Sequence, residues 1–162
     1  MSERGEIVYY YRAGVLQAEP ESWQRKPRTS AAWAPQVEDW QATLTEGGAA
    51  IGAFDGERLV GIAVLRDRLR LQPSTAQLSA LFVSASHRRQ GVAACLVNEI
   101  VRLAHATGAH TLYVSATPSV SAVGFYLSQG FALAAQVDPD LFALEPEDIH
   151  LTRPLTRLPG EA

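Results

Sequence analysis

Arg88 and Arg89 are separated from Gly91 by one residue in the segment Leu81-Phe82-Val83-Ser84-Ala85-Ser86-His87-Arg88-Arg89-Gln90-Gly91-Val92-Ala93. An apolar run, Ala76 to Val83, ends in this basic turn. From Val92 to Ala106 apolar residues then recur at 92/93, 96/97, 100/101 and 103/104, the spacing of one helix face, and Gly108 stands where a helix C-terminal glycine belongs. A strand therefore runs through a basic turn onto the start of a long helix. Unpaired N–H groups and the helix dipole make such a start an anion site. Gly91 and Ala93 allow close backbone approach by a bulky phosphate, while the two guanidinium groups add planar donor forks matched to phosphate oxygens. The pair of arginines taken alone is equally well read as the solvated surface of a turn. No Gly-Lys-Ser/Thr follows and no GxGxxG is present, so neither triphosphate hydrolysis nor dinucleotide binding is indicated.

A second chemistry-bearing segment is Ala122-x-x-Phe125-Tyr126-x-x-x-Gly130-Phe131. Its Tyr126 carries a phenol with a reference pKa near 10, a group able to donate a proton. Without its neighbours Tyr126 reads as a core aromatic whose hydroxyl finds a partner. A third segment carries five carboxylates, Asp138, Asp140, Glu145, Glu147 and Asp148, in a loop able to draw in a cationic amine and supply a base, or simply to stay solvated. His87, His105, His110 and His150 have no metal-ligand spacing and no metal site is expected. Cys95, beside Leu96 in the long helix, reads as a small buried hydrophobe, inert as a nucleophile.

The elements that must hold these groups follow from periodicity and punctuation. Ile7 to Tyr11 is a strand. Residues 19 to 45 contain Pro20, Pro27, Pro35 and all three tryptophans, Trp23, Trp33 and Trp40, and suggest short helices broken by turns, the best over Gln36 to Leu44. These tryptophans are expected in a core or a partner interface. Ala49 to Phe54 and Leu59 to Leu65, joined by Asp55-Gly56-Glu57, form a hairpin. Ala76 to Val83 is a strand, Val92 to Ala106 a helix and Thr111 to Val114 a strand. Thr117 and Pro118 are placed to open a second helix running to about Gln129, and Phe131 to Ala135 and Ile149 to Leu151 supply the last strands. The fold class is mixed α+β: a mostly antiparallel sheet with helices on both faces.

At 162 residues, 47% of them hydrophobic, the chain makes one domain over 1–162, its tail irregular from about 155. With Lys plus Arg at 14 against 17 for Asp plus Glu, the formal charge is −3 and no general positive field invites nucleic acid. No apolar run approaches the ~20 residues of a membrane span. A charged start and a single cysteine lead to the expectation of a cytoplasmic protein without an internal disulfide.

Arg88-x-x-Gly91-x-Ala93 after a strand resembles the pyrophosphate motif of the GCN5-related N-acetyltransferases, and Ala122-x-x-Phe125-Tyr126-x-x-x-Gly130-Phe131 looks like the helix that follows it in that family. The resemblance covers roughly residues 49 to 135. It implies the acyl-CoA N-acyltransferase fold and transfer of an acetyl group from acetyl-CoA to a primary amine of a small molecule or peptide, without metal. It further implies that backbone groups of Leu81 to Val83 meet the acetyl and pantetheine portions, that Arg88, Arg89, Gln90, Gly91, Val92 and Ala93 hold the pyrophosphate, with Phe125 beside the cofactor, and that Tyr126 is the general acid. Two positions depart from the family pattern. Ser119 stands where an asparagine often contacts pantetheine, and the strand before the phosphate loop carries Gln77 and Ser79 where a glutamate often serves as base. These departures are also what a catalytically silent acyl-CoA-binding module of the same fold would show. A homodimer is compatible with either function.

Overall fold

The structure, a computed structural model, describes residues 3–13, 15–25 and 29–156. Two antiparallel strands, β1 (Glu3–Arg12) and β2 (Val15–Arg25), form a ribbon of their own, turning at Ala13 with φ +51°. Residues 19–25 were expected to be helical and are strand. Pro20 is accommodated because β2 is an edge and the register shifts between Gly5 and Ile7, so Pro20 lies beside a bulge. Tyr9 N–H donates to Pro118 O at 2.9 Å and ties the ribbon to the body.

Helix α1 (Ser30–Thr45) is continuous where short pieces were expected. Thr29 caps it, its Oγ1 accepting from Ala32 N at 3.3 Å. Pro35 removes one backbone bond near the start, and the aromatic packing of Trp33 and Trp40 on Phe82, centroids 5.2 and 6.0 Å away, outweighs that loss. Pro27 lies outside the described residues.

The main sheet has the order β3-β4-β5-β6-β8-β7, with β3 (Ala49–Asp55), β4 (Arg58–Arg66), β5 (Thr75–Val83), β6 (Thr111–Ala116), β7 (Ala132–Leu133) and β8 (Ile149–Pro154). Every pairing is antiparallel except β5 with β6. The strand expected over 131–135 shrinks to Ala132–Leu133, which pairs with Thr152 and Leu151 of β8, and Ala134 N adds one bond to His150 O at 3.0 Å. Helix α2 (Val92–Ala106) buries Leu96, Val97, Ile100 and Ala104 against the sheet, each large side chain contributing ~2 kcal/mol of apolar burial. It comes so close to β4 that a Cβ on Gly61 would stand 3.1 Å from Leu96 Cδ1. Cys95 lies off the buried stripe and is exposed, correcting the expectation of a buried thiol.

Helix α3 (Val120–Ser128) starts at Ser119, whose Oγ accepts from Ala122 N at 3.1 Å; Thr117, the expected cap, precedes it. The acidic segment is partly helical, as α4 (Pro139–Leu144), because Asp138 Oδ1 accepts from both Asp140 N and Leu141 N. No helix among the described residues is long and apolar enough to cross a membrane.

Candidate active site

The site begins with a change of register inside β5. Opposite β4, Val64 pairs with Ala80 but Leu65 pairs with Leu78, leaving Ser79 as a bulge, its Oγ donating to Val64 O at 3.2 Å. An extra residue reverses which side chains face each way. Ala76 and Leu78 before it, and Leu81 and Val83 after it, all pack with the α2 core. Phe82 is thereby directed to the opposite face, against Trp33 and Trp40 of α1, so helices cover both faces of the sheet.

The parallel pairing of β5 with β6 covers only Thr75, Ala76 and Gln77. Beyond it the strands separate. Ser84 N donates to Val60 O at 2.8 Å, which sets Ser84 and Phe82 toward β4 and leaves the backbone polar groups of Leu81 and Val83 directed into the gap. Val83 O accepts there from Arg88 Nε at 3.3 Å. The gap holds a cavity of about 290 Å³, bordered by Leu81, Phe82, Val83, Ser121, Phe125 and Tyr126 among others.

A larger cavity of about 670 Å³ continues outward, sharing Val83, Arg88, Ala93, Ser121 and Phe125 with the first. It is bordered by Arg88, Arg89, Gly91, Val92 and Ala93 on one side and by Val120, Gly124 and Ser128 of α3 on the other. Arg89 (φ +58°) and Gly91 (φ +83°) both take the left-handed conformation that swings the chain into α2. The first helical bond there is Cys95 N to Gly91 O at 3.0 Å, so the N–H groups of Val92, Ala93 and Ala94 precede the helical ladder at the cavity edge. Gly91 has no atom within 4 Å of where a Cβ would stand, an open cradle that suits a phosphate group. Gln90 is not on the cavity edge; its Nε2 donates to Ser86 O at 3.1 Å and braces the loop. His87, part of the basic turn but given no role by the motif, borders the cavity with Nε2 3.1 Å from Asp55 Oδ2 and Nδ1 2.9 Å from Ser86 Oγ.

Tyr126 is 8% exposed, packed edge-on against Phe125 and Phe131 with centroids 5.3 and 5.5 Å away, and borders the gap. Burial, reinforced by the negative charge of Asp148, pushes its phenol well above the ordinary value, so it remains protonated. Ser119 is buried and engaged in capping α3, and it does not border either cavity.

Across the gap from the Arg88–Ala93 loop lies a third cavity, about 470 Å³, bordered by α1, by Gln77, Ser79 and Phe82 of β5, and by Leu141, Glu145 and Asp148 of the acidic segment. It meets the gap at Ser79, Phe82, Ser115 and Thr117. Ser115 Oγ donates to Asp148 Oδ2 at 2.9 Å. Arg66 reaches Asp39 Oδ1 at 3.0 Å on its wall, and the Oε1 of Gln77, a residue 6% exposed, has no hydrogen-bond partner. Nothing in the sequence linked Arg66 with Asp39 or Ser115 with Asp148, because the members of each pair lie 27 and 33 residues apart in the chain. Among the described residues no group of His, Cys, Asp and Glu could hold a metal ion.

A cleft opened by the parting of two parallel strands, entered beside an αL glycine at a helix start, can receive a long phosphorylated thioester. The model of the acetyltransferase (GNAT) family matches residues 12–131. The chain belongs to that family. N-acetyltransferase 8 of Homo sapiens is 33% identical over 97 residues, a match covering 57% of this chain and 43% of that protein. This chain thus aligns with less than half the length of that relative. Among solved structures, nourseothricin acetyltransferase superposes with a TM-score of 0.71 at 18% identity, over 96% of this chain and 88% of that one. A Bacillus subtilis acetyltransferase in complex with CoA gives 0.61 at 21% identity, over 82% and 96%. These likenesses show the GNAT fold, with its mostly antiparallel sheet and flanking helices.

Proposed function

We propose that this GNAT-family chain transfers an acetyl group from acetyl-CoA directly to a primary amine of a small molecule or peptide. The observation that carries this reading is the continuous cleft from the Arg88–Ala93 loop through the β5/β6 gap to a separate polar cavity beyond. The first part fits a CoA pyrophosphate, the gap fits the thioester, and the cavity beyond fits an acceptor. Acetyl-CoA supplies the activated acyl group when bound.

The residues divide the work by position. N–H groups at the start of α2, with Arg88 and Arg89, neutralise the pyrophosphate, and Gly91 keeps the approach open. The backbone groups of Leu81 and Val83 align the pantetheine and thioester as an added strand would, while Phe82 holds the strand in place from the other face. Phe125 covers the cleft. Tyr126 donates its proton as charge develops on the departing sulfur. Its raised pKa makes the phenol a weaker acid than in water, but a thiolate in the same dry gap also becomes more basic. Ser119 positions α3, and with it Tyr126, through its cap. Holding both reactants in one cleft replaces a bimolecular encounter by a unimolecular step.

Thermal unfolding with and without acetyl-CoA tests the first half. A hundredfold excess over the dissociation constant stabilises by about 2.7 kcal/mol, which raises Tm by roughly 5–11 °C in a domain of this size. Changing both Arg88 and Arg89 to alanine is expected to abolish the rise. Thiol release from acetyl-CoA in the presence of amines tests the second half. A thermal shift without turnover of any amine identifies the silent acyl-CoA-binding module; no shift at millimolar acetyl-CoA overturns the reading altogether.

A further inference from the structure

A primary amine with a reference pKa near 10.4 arrives at neutral pH as an ammonium, with no lone pair for attack. Some group must take its proton, and β5 offers only the amide Gln77 and the hydroxyl Ser79. We infer that Asp148 is that proton acceptor, oriented by Ser115, and that the 470 Å³ cavity is the ammonium's entry; this rests on the acetyl-transfer reading above.

Three observations converge on Asp148. Ser115 is one of the residues at which the acceptor cavity meets the thioester gap, and its hydroxyl donates to Asp148 Oδ2 at 2.9 Å. The carboxylate is therefore one hydrogen bond from the junction where the reactants meet. Asp148 is only partly exposed, unlike Glu145 and Glu147. Tyr126 borders the gap that the Asp148-lined cavity meets at Ser115, and the negative charge of Asp148 adds to the burial that raises the phenol's pKa. The unpartnered Oε1 of Gln77, on the same wall, is an acceptor suited to a second ammonium N–H.

The groups facing this carboxylate favour the assignment. On the acceptor side stand Asp39, already paired with Arg66, and Glu145; on the other side, across a second cavity, lie Tyr10, Arg12, Glu147 and His150. His150 resists protonation because it is buried, so it does not compete for the proton. The wall of the acceptor cavity carries three carboxylates, Asp39, Glu145 and Asp148, against the one guanidinium of Arg66, and this excess of negative charge attracts an ammonium.

The step balances as follows. One N–H bond of the ammonium breaks and its proton passes to Asp148 and on to solvent. The freed lone pair forms the C–N bond as the C–S bond breaks, the sulfur taking that electron pair and a proton from Tyr126. The amine's second proton restores the phenol. The products are the N-acetyl amide, CoA thiol and one released proton.

The test compares Asp148→Asn with the native chain using n-butylamine, which is protonated at pH 7, and 2,2,2-trifluoroethylamine, which is neutral there. General-base loss is worth ~10²- to 10⁴-fold. The variant is expected to lose a hundredfold or more in kcat/KM toward n-butylamine at pH 7 while losing less than tenfold toward the neutral amine. Its n-butylamine rate should climb about tenfold per pH unit up to pH 9.5, where the native rate has levelled. The acetyl-CoA thermal shift is expected to persist in the variant, showing a folded protein. Calorimetry in the presence of CoA should show n-butylammonium binding weakened by up to about fivefold, as loss of a partly exposed ion pair allows. Equal losses for both amines, or an unchanged pH profile, would exclude Asp148 as the base while leaving acetyl transfer intact. Native protein that turns over neither amine yet is stabilised by acetyl-CoA would overturn the transfer reading and the role of Asp148 together.

Discussion

Replacing Gly91 by alanine separates backbone strain from ligand space. At φ +83° and ψ 0° an L-residue adopts the left-handed conformation at a cost of about 1–2 kcal/mol. A methyl group there would have no heavy atom within 4 Å, so no clash adds to that cost. Alanine also reduces the freedom of the unfolded chain, returning about 0.4–1 kcal/mol. The net loss is about 1 kcal/mol, or a Tm lower by roughly 2–4 °C. Gly91 borders the 670 Å³ cavity, so the methyl occupies space assigned to the pyrophosphate. If it weakens acetyl-CoA tenfold, stabilisation at the concentration that gave 2.7 kcal/mol falls to about 1.4 kcal/mol, and the ligand-induced Tm rise is halved. Gly108 is the matched control: φ is +84°, no atom lies within 4 Å of its Cβ position, and it is remote from the cavity. Differential scanning fluorimetry with and without acetyl-CoA should therefore show similar losses for both variants but a diminished ligand shift only for Gly91→Ala. A full ligand shift in Gly91→Ala would refute the placement of the phosphate.

Tyr126→Phe should lower kcat by ~10²- to 10⁴-fold with the acetyl-CoA thermal shift intact; and because the phenol is held protonated, native kcat should show no fall between pH 9 and 10.5 from this group. Ser119→Ala removes the α3 cap and should cost about 1 kcal/mol in urea unfolding. Alkylation of exposed Cys95 with N-ethylmaleimide should proceed in the folded protein and leave the acetyl-CoA shift unchanged, a loss of shift meaning that the thiol borders the cleft after all. Burial lowers the pKa of His150, so the unfolded chain takes up the proton first: this contribution to stability is complete above about pH 6.5 and declines below it by up to about 1.4 kcal/mol per pH unit. Chemical unfolding at pH 7.5 and 5 should show this slope, reduced in His150→Asn.

Local sequence carried the basic turn at Arg88–Gly91, the long helix and the hairpin because each is specified within about fifteen residues. The α2 stripe reads at 3.6-residue spacing and buries the residues that spacing indicates, Leu96, Val97, Ile100 and Ala104. Gly91 and Gly108 fall at positive φ, where only glycine is at ease. Of the N-terminal ribbon, β1 was legible over Ile7 to Tyr11 but β2 was not, since Pro20 and Trp23 resemble turn and helix material until a bulge and an edge position make room for them. Cys95 was misread because an apolar stripe two residues wide leaves little in sequence to show where it stops.

By itself, then, the sequence determined the family, the fold class and the strand-loop-helix junction at Arg88–Ala93 to which we assign the pyrophosphate, all of which depend on residues close in the chain and on backbone conformations that few residue types adopt. Tertiary structure alone decided the acceptor side. The bulge at Ser79 turns Phe82 toward Trp33 and Trp40, the end of β5/β6 pairing at Gln77 opens the gap, and the return of β8 beside β6 brings Asp148 to Ser115. Contacts across 33 residues of chain are fixed by sheet order and register, which the packing of the whole core selects and no local pattern encodes.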